Sequence, residues 1–523
     1  MILDFSSQLH YLWALLPEVV LALTGLVILM ADVFARGAGP GPSGRWVPTV
    51  AIAGLLGAGA AAVFLLGVDS PGRTGMIAVD GFRVALTLVI IGATIVSLLF
   101  SLEELERRGL AVGEFYFLVL MATVGMMLLT AARDLILVFV AVELMSISVY
   151  VLTGFDRKEP RSSEGALKYF LMGAFASAFL LYGIALVFGA VSSTNLALVG
   201  SQVAARAGEG SLLLQAGVAL LVIGLAFKVS AVPFHMWTPD AYEGAPTPVT
   251  AFMAAGVKAA GFAAVLRIVV VGLAPAAEMW HGIIWWLALL TMIVPNLIAL
   301  QEEDVKRMLA YSSIAHAGYL LVGVVAGSAM GISASIFYLG IYALMTVGSF
   351  AVVAVVAAGR TDADLGRFRG LGWSRPFLAA LMVLCLLSLA GFPPTGGFIG
   401  KLYLLRAALG AGEVTLAVVL VMTSLVSYYY YLRVIWKMYF DAAPEGARLP
   451  PATGTAFRLA GLVAALGILL AGLYPGPGLE AADAAGRDIA GAASPAAAVA
   501  TPASASPGAA APAPSADPTQ RPE

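Results

Sequence analysis

Long apolar runs follow one another along almost the whole chain, with short polar connections between them. Fourteen runs are long enough to cross a hydrocarbon core of ~30 Å, which takes ~20 helical residues. They lie at about 11–34, 46–67, 79–100, 114–131, 135–154, 165–191, 212–232, 248–272, 282–300, 308–327, 332–358, 376–405, 412–436 and 456–474. The pattern predicts an all-α polytopic membrane protein with about 14 transmembrane helices.

The composition agrees with a chain that lives in a bilayer. Of 523 residues, 60% are apolar and only 11% are charged, which excludes an ordinary soluble globule. The net charge of −2 gives no reason to expect a nucleic-acid partner. A single cysteine, Cys385, cannot hold an iron–sulfur cluster or a thiolate-rich zinc site. We therefore expect no cofactor, metal or redox centre in this chain.

The charges in the connections predict the orientation of the chain. Connections after odd-numbered runs hold 15 Lys and Arg residues, whereas those after even-numbered runs hold four. Because short cytoplasmic loops are enriched in Lys and Arg, the odd-numbered connections are expected in the cytoplasm. Both termini are then expected outside, on the periplasmic side.

The last 43 residues have a different composition. Residues 481–523 contain 18 Ala and seven Pro and almost no large apolar side chains. Such a segment cannot bury enough apolar surface to offset the entropy of ordering. We expect a disordered Ala/Pro-rich tail.

Several ionisable residues interrupt the apolar runs. Glu143, Lys228, Lys258 and Lys401 lie within predicted spans, and Lys168 lies nearer the end of one. A charge at the bilayer centre costs ~2.5–3.5 kcal/mol on insertion scales. Interhelical salt bridges, or snorkelling of Lys168 and Lys401 to the headgroups, would be a structural explanation. A proton or ion relay is the functional explanation that such residues usually have.

Lysine and glutamate together suit a proton relay. Burial favours the neutral amine of a lysine, and a nearby carboxylate favours the ammonium. A movable Glu143 would therefore control whether Lys228 holds its proton, and the two groups would titrate as a pair. Lysines on three separate spans, at 228, 258 and 401, would extend this pair into a lateral series.

Two predicted spans are interrupted beside a lysine. Lys228 is followed by AVPFHMW and further prolines, and Lys401 is preceded by GFPPTGG. Proline removes a backbone donor, so carbonyl groups freed at membrane depth must face protein or water. Helices 7 and 12 are therefore predicted to be discontinuous, as at transporter sites, although a simple proline kink is the alternative. One break in each half suggests a duplicated unit.

His316 lies in the segment AYSSIAHAGYL, among hydroxyl groups. An imidazole that titrates near neutral pH could pass protons along such a row of hydroxyl groups and water. A structural hydrogen bond explains the same residue equally well.

Three long motifs resemble a known family. They are KVSAVPFHMWTPDAYEGAPTPVTAF, DVKRMLAYSSIAHAGYL and LAGFPPTGGFIGKLYL, within a resemblance that covers roughly residues 110–440. Together they resemble the antiporter-like subunits of respiratory complex I, which are related to Mrp-type cation/proton antiporters. The lysine at 401 and the run SYYYYLRVIWKMY favour one subunit type within that family.

The resemblance implies an organisation with two inverted five-helix repeats. It divides the chain into 1–110 (helices 1–3), 111–275 (first repeat, helices 4–8), 276–440 (second repeat, helices 9–13), 441–480 (helix 14) and the tail 481–523. It also implies roles for matching residues. Glu143 with Lys228 would be the modulating ion pair, Lys258 the central relay and Lys401 the terminal site, with Lys168 and His316 as further members.

The expected function is that of a proton-translocating membrane subunit of NADH:quinone oxidoreductase. Its cofactors NADH, FMN, iron–sulfur clusters and quinone would act in other subunits. Expected partners are an antiporter-like M-type subunit, a small K-type subunit and the lipid bilayer of the bacterial inner membrane. A stand-alone Mrp-type cation/proton antiporter subunit is the alternative, and a purely structural membrane scaffold is a third possibility.

Overall fold

The computed structural model describes residues 8–36, 46–68, 75–206, 211–360, 362–443 and 453–492. Over these ranges the chain is helical, with three isolated β-bridges and no β-strand. The predicted all-α class is therefore confirmed. The loop predicted between the first two spans falls largely on residues 37–45, outside the described residues.

Twenty-one α-helices follow one another through the described residues. They are α1 (Gln8–Ala14), α2 (Leu16–Arg36), α3 (Trp46–Phe64), α4 (Gly81–Arg108), α5 (Gly113–Ala131), α6 (Leu135–Thr153), α7 (Pro160–Val191), α8 (Leu196–Ala205), α9 (Leu212–Lys228), α10 (Trp237–Gly244), α11 (Thr247–Phe252), α12 (Lys258–Arg267), α13 (Ala277–Ala299), α14 (Val305–Val325), α15 (Ala329–Ala357), α16 (Leu371–Ser374), α17 (Pro376–Ala390), α18 (Gly396–Gly410), α19 (Val414–Tyr439), α20 (Thr455–Leu473) and α21 (Gly476–Ala492).

Twelve helical segments among the described residues are long and apolar enough to cross a membrane. The count becomes 13 if the bent pair Leu365–Ser374 and Pro376–Ala390 is one span. Two predicted spans, the seventh and the twelfth, are missing from the twelve because they consist of shorter pieces. The seventh is represented by the 17-residue α9 and the twelfth by α17 and α18, with 15 residues each. The count of 14 and the inverted repeats remain predictions.

The first break separates α9 from α10. Helix α9 ends at Lys228, and residues 229–236 form a turn before α10 begins at Trp237. Pro233 lies in this turn and has no N–H with which to continue the helix. The carbonyl of Phe227 instead accepts hydrogen bonds from the Ser230 N–H (3.1 Å) and the Trp237 indole N–H (3.2 Å). The Phe227 carbonyl at the end of α9 is therefore hydrogen-bonded although the helix does not continue.

The second break separates α17 from α18. Gly391 ends α17 with a φ of +87°, a left-handed conformation that glycine adopts without strain. Helix α18 begins at Gly396, and the next residue, Gly397, donates its N–H to Ser388 Oγ at 3.1 Å. Proline and glycine therefore interrupt helix 12 where the sequence predicted a discontinuity.

The last described helix corrects the predicted disordered tail. Residues 481–492 belong to α21, which packs against α4 and α15. Ala482, Ala485 and Ile489 are buried at 3%, 2% and 0% exposure, so small side chains allow a close helix contact. The prediction of disorder from residue 481 is wrong for this part. Composition alone does not reveal that the buried residues are spaced three and four apart, on one side of a helix. The rest of the tail, 493–523, lies outside the described residues.

The connections gather on two opposite faces of the helix bundle. On the odd-loop face, which carries the connections after odd-numbered predicted spans, Arg108 contacts the Asp156 carboxylate (3.3 Å) and the Arg360 carbonyl (3.0 Å). On the opposite even-loop face, the N–H of Gly81 bonds Asp488 of α21 at 2.8 Å. The even-loop face also holds the buried pair of Glu18 and Arg83 (2.8 Å). The first and the last long helices therefore both have an end on the even-loop face.

Candidate buried proton-relay site

Lys228 is placed by the end of α9, immediately before the first break. The residue is 4% exposed, and its ammonium donates to the Ser146 hydroxyl at 2.6 Å and approaches the Tyr150 hydroxyl at 3.5 Å. Ser146 and Tyr150 are one turn apart on α6, so they present two hydroxyl groups on one side of that helix. Lys228 therefore lies among exchangeable hydroxyl protons within the bundle.

Glu143 lies on the same helix as the hydroxyl partners of Lys228. It is half-buried and accepts a hydrogen bond of 2.5 Å from the Ser177 hydroxyl of α7. Among the described residues, Glu143 and Lys228 share no salt bridge. The residues of the modulating pair that the resemblance implies are thus not in direct contact in this structure, where Lys228 bonds Ser146, three residues further along α6.

Lys258 is the first residue of α12, directly after a π-helical turn at Met253–Val257. It is 3% exposed. Its ammonium donates to the carbonyl and hydroxyl of Ser313, the latter at 2.5 Å, and lies 5.1 Å from the centre of the Tyr342 ring. Tyr342 in turn donates to the Ser313 hydroxyl at 2.8 Å. Lys258, Ser313 and Tyr342 form one continuous polar cluster in the core.

Lys401 belongs to α18 and reaches back across the second break. Its ammonium donates to the carbonyl of Ala390, the last residue of α17, at 3.1 Å. It also lies 4.7 Å from the centre of the Tyr319 ring. The residue is 6% exposed. A cation at the carboxyl end of a half-helix is electrostatically favourable because the helix dipole is negative there.

His316 is fully enclosed between two tyrosines. Its Nδ1 lies 2.6 Å from the Tyr338 hydroxyl and its Nε2 lies 3.3 Å from the Tyr431 hydroxyl. The Tyr431 hydroxyl also contacts the Ser312 hydroxyl. Both ring nitrogens are therefore hydrogen-bonded, which is the arrangement that a proton relay through an imidazole needs.

Helix α14 organises this second part of the site. Its residues Ser313, His316 and Tyr319 recur at spacings of three, so they lie on one side of the helix. Ser313 contacts Lys258, and Tyr319 contacts Lys401. One helix thus connects the surroundings of the central lysine with those of the terminal lysine.

The contacts of the described residues fall into two groups. The first contains Glu143, Lys228 and their hydroxyl partners, and the second is arranged around α14; no hydrogen bond between described residues joins them. The sequence indicated the charged members of both groups and His316. It did not predict which residues contact them, although it noted the hydroxyl groups around His316 in the segment that contains Ser313 and Tyr319. The contacting residues are Ser146, Tyr150, Ser177, Ser313, Tyr319, Tyr338, Tyr342 and Tyr431.

Lys168 lies apart from the buried lysines. Its side chain is 46% exposed and forms salt bridges with Glu164 (2.7 Å) and Asp240 (2.8 Å) at the odd-loop face. Asp240 also bonds Arg307 at 2.9 Å. Burial alone would raise the pKa of the Asp240 carboxyl, but Lys168 and Arg307 hold that pKa below its usual range.

The chemistry available at the site is proton exchange. Lys, His, Ser and Tyr side chains supply amines, an imidazole and hydroxyl groups that can donate and accept protons. Within the described ranges, no group of three or more His, Cys, Asp or Glu side chains could hold a metal ion.

Comparisons with known proteins agree with this architecture. Residues 132–427 match the family described as NADH:quinone oxidoreductase/Mrp antiporter, TM. A relative from Gemmatimonas aurantiaca, NADH-quinone oxidoreductase subunit N, is 47% identical and aligns over 94% of this chain and 97% of its own. The subunit of the same name from Trichlorobacter lovleyi is 44% identical over 88% of this chain and 94% of its own.

Solved structures share the fold. A chain of respiratory complex I from Thermus thermophilus is 36% identical, with a TM-score of 0.75, covering 90% of this chain and 99% of that one. A chain of the Mrp complex from a Dietzia species has the same fold with a TM-score of 0.78 at 24% identity, over 92% of this chain and 98% of that chain. The family resemblance expected from the motifs is thereby confirmed, and the favoured subunit type is the N type. The chain belongs to the family of antiporter-like membrane subunits shared by NADH:quinone oxidoreductases and Mrp antiporters.

Proposed function

We propose that the chain is a proton-translocating membrane subunit of NADH:quinone oxidoreductase. The observation that carries the proposal is that three lysines, at 228, 258 and 401, lie at most 6% exposed on separate helices. Among the described residues none of the three has a carboxylate within salt-bridge distance. Structural ion pairing therefore does not account for them, whereas a proton relay does. Lys228 and Lys258 have hydroxyl partners for such a relay, and Lys401 bonds the Ala390 carbonyl beside the Tyr319 ring.

The proposed path uses the two groups of the site in order. Glu143 would act on Lys228 through α6, Lys258 would be the central relay, and Lys401 would be the terminal site towards the periplasm. His316 would lie between the last two lysines, because its ring is 5.3 Å from the rings of Tyr342 and Tyr319, which lie against Lys258 and Lys401 respectively. Lys168 would act at the odd-loop face, where its salt bridges hold α10.

The proposed setting follows from the same reasoning. The chain would cross the bacterial inner membrane 14 times as two inverted five-helix repeats, with both termini in the periplasm. It would lie beside an M-type antiporter-like subunit and a small K-type subunit. Electron transfer from NADH to quinone, through FMN and iron–sulfur clusters, would take place in other subunits of the complex and supply the energy.

The energies involved are comparable. Moving one charge against 100 mV requires ~2.3 kcal/mol, and one pKa unit corresponds to ~1.4 kcal/mol. A change in the surroundings of a buried amine that alters its proton affinity by a few units is therefore sufficient for transport.

The direct test is Lys228→Ala in the assembled complex. We expect proton pumping and coupled quinone reductase activity to fall strongly, since no other amine in the described part of the chain is bonded to Ser146. Pumping is measured with a membrane-potential dye in inverted vesicles, and subunit content verifies assembly. Wild-type pumping by the variant would refute the relay.

Variants of Glu143 test the control of Lys228. Glu143→Gln removes the charge but keeps an acceptor for the Ser177 hydroxyl, and we expect a defect like that of Lys228→Ala. Glu143→Asp keeps the charge and should be milder. Equal activity of the Gln and Asp variants would show that the charge is not used.

A stand-alone Mrp-type antiporter subunit is the weaker alternative. The relatives named subunit N are 44–47% identical to this chain, whereas the Mrp chain is 24% identical. Co-purification of the chain with quinone reductase activity supports the first function. Sodium/proton exchange by the purified chain in liposomes would support the second.

A further inference from the structure

A fourth lysine is fully buried and has no part in the path proposed above. Lys306 is the second residue of α14 and is 0% exposed. Its ammonium donates to the carbonyl of Glu243 at 2.9 Å and to that of Ala245 at 2.7 Å. Both carbonyl groups lie at the carboxyl end of α10, the short helix that follows the first break. The hydropathy pattern places Lys306 in a connection, so sequence analysis missed it.

The chain around α10 creates carbonyl groups that need an outside donor. Helix α10 is followed by Pro246 and Pro248, which have no N–H to offer to the last turn. The Thr250 hydroxyl satisfies the carbonyl of Tyr242 at 2.8 Å. Lys306 satisfies the carbonyl groups of Glu243 and Ala245. Carbonyl groups at the end of a half-helix, where the dipole is negative, are also the ligands with which transporters hold monovalent cations.

A second contact shows that the beginning of α14 holds α10 as a whole. Arg307, the neighbour of Lys306, bonds the side chains of Asp240 (2.9 Å) and Glu243 (2.6 Å) on α10. Arg161 of α7 adds a further bond to Glu243 at 3.0 Å. Lys306 interacts electrostatically with four charged side chains, those of Arg108, Asp304, Glu243 and Glu104.

The position of Lys306 joins the first break to the site around α14. Lys306 and Ser313 are seven residues apart, about two helical turns, and so lie on the same side of α14. Ser313 is the partner of Lys258. One side of α14 therefore contacts both the end of α10 and the central lysine.

We propose that Lys306 is a positioning residue of the proton path, a tethered ammonium that fills a carbonyl-lined cation site at the end of α10. This inference rests on the proposed function. The ligand of these carbonyl groups is then a monovalent ammonium cation, and the chain itself supplies it as the Lys306 side chain. Its two hydrogen bonds hold α10 against α14.

The test uses Lys306→Ala in the complete complex with n-propylammonium chloride, which matches the missing part of the side chain. We expect quinone reductase activity and membrane-potential formation to fall several-fold and to be largely restored by n-propylammonium but not by equal sodium chloride or n-propanol. The wild-type complex controls for uncoupling by the amine. Lys437→Ala, at the partly exposed end of α19, should show no amine response. Wild-type activity without the amine, or an assembled variant that does not respond to it, would overturn the inference.

Two further variants keep the test decisive if Lys306→Ala does not assemble. Lys306→Arg retains a cation, whereas Lys306→Gln offers a neutral donor to the same carbonyl groups. We expect the Arg variant to assemble and pump and the Gln variant to be defective. Equal pumping by the two would overturn the inference. Lys228→Ala, measured alongside, separates the two proposals: if it pumps normally the relay fails, whereas the amine response reports on Lys306 alone.

Discussion

The two broken spans treat their lysines in opposite ways. At the first break, the Trp237 indole and the Ser230 N–H satisfy the Phe227 carbonyl, so Lys228 is free to bond hydroxyl groups of α6. At the second break, Lys401 itself bonds the terminal carbonyl of α17. Lys228 therefore contributes little to holding its break together, whereas Lys401 is part of the backbone structure of its break. A lysine beside a broken helix can serve the chemistry alone, or the chemistry and the fold together.

The strongest test of this difference replaces each lysine by methionine. Lys401→Met leaves the buried Ala390 carbonyl without its donor, which costs about 1–3 kcal/mol. Lys228→Met removes a buried ammonium whose partner Ser146 keeps its bond to the Val142 carbonyl. We expect a lower thermal midpoint of the purified complex for Lys401→Met and little change for Lys228→Met. Equal midpoints would contradict the comparison.

A smaller effect is expected when the first break loses its indole donor. Trp237→Phe keeps a ring to stack on Tyr169, whose centroid lies at 4.0 Å, but removes the bond to Phe227. We expect a loss of stability of about 1 kcal/mol, together with reduced pumping because Lys228 follows Phe227 directly. Trp280→Phe, which loses a similar bond to the Leu273 carbonyl away from both breaks, should affect stability only. Unchanged pumping in Trp237→Phe would count against this role.

The smallest effect concerns the ion pairs that hold α10 after the first break. Asp240 has a lowered pKa, so its carboxylate stabilises the folded chain above about pH 4, the ordinary aspartate value, and this contribution is lost as the pH falls further. The exposure of Lys168, at 46%, weakens the pair by solvent screening. We expect Asp240→Asn to cost less than about 1 kcal/mol at pH 7, and the difference from wild type to shrink in acid. Glu164→Gln, at a more exposed carboxylate, serves as the control; a loss as large as that of Lys401→Met would contradict this ranking.

The sequence predicted what depends on local chemistry. Proline and glycine near Lys228 and Lys401 identified both breaks, and apolar runs identified the helices, because these signals act within one segment. The partners of the lysines could not be predicted in the same way. Lys258 meets Ser313, 55 residues away, and Lys228 meets Ser146, 82 residues away. Such pairs are decided by the packing of helices against one another.

Two other features escaped prediction for physical reasons of their own. Helix α21 is built from small residues that bury a narrow stripe, which an average over composition hides. Lys306 lies beyond the apolar part of its span, so hydropathy treats it as a solvated residue. The prolines after α10 leave the Glu243 and Ala245 carbonyls in need of a donor, and Lys306 supplies it from a buried position.

Helix α14 carries two sets of contacts. Near its beginning, Lys306 and Arg307 bond α10, and further along, Ser313 and Tyr319 contact the buried lysines. Each residue of an α-helix advances the next by about 100°, so inserting one residue between Lys306 and Ser313 would turn every later side chain away from its present direction. The hydroxyl of Ser313 would then point away from Lys258, while Lys306 and Arg307 kept their contacts with α10. The rotation about the helix axis from Lys306 to Ser313 therefore fixes both sets of contacts at once. An insertion or deletion between these residues preserves them only if it adds or removes about a whole number of helical turns.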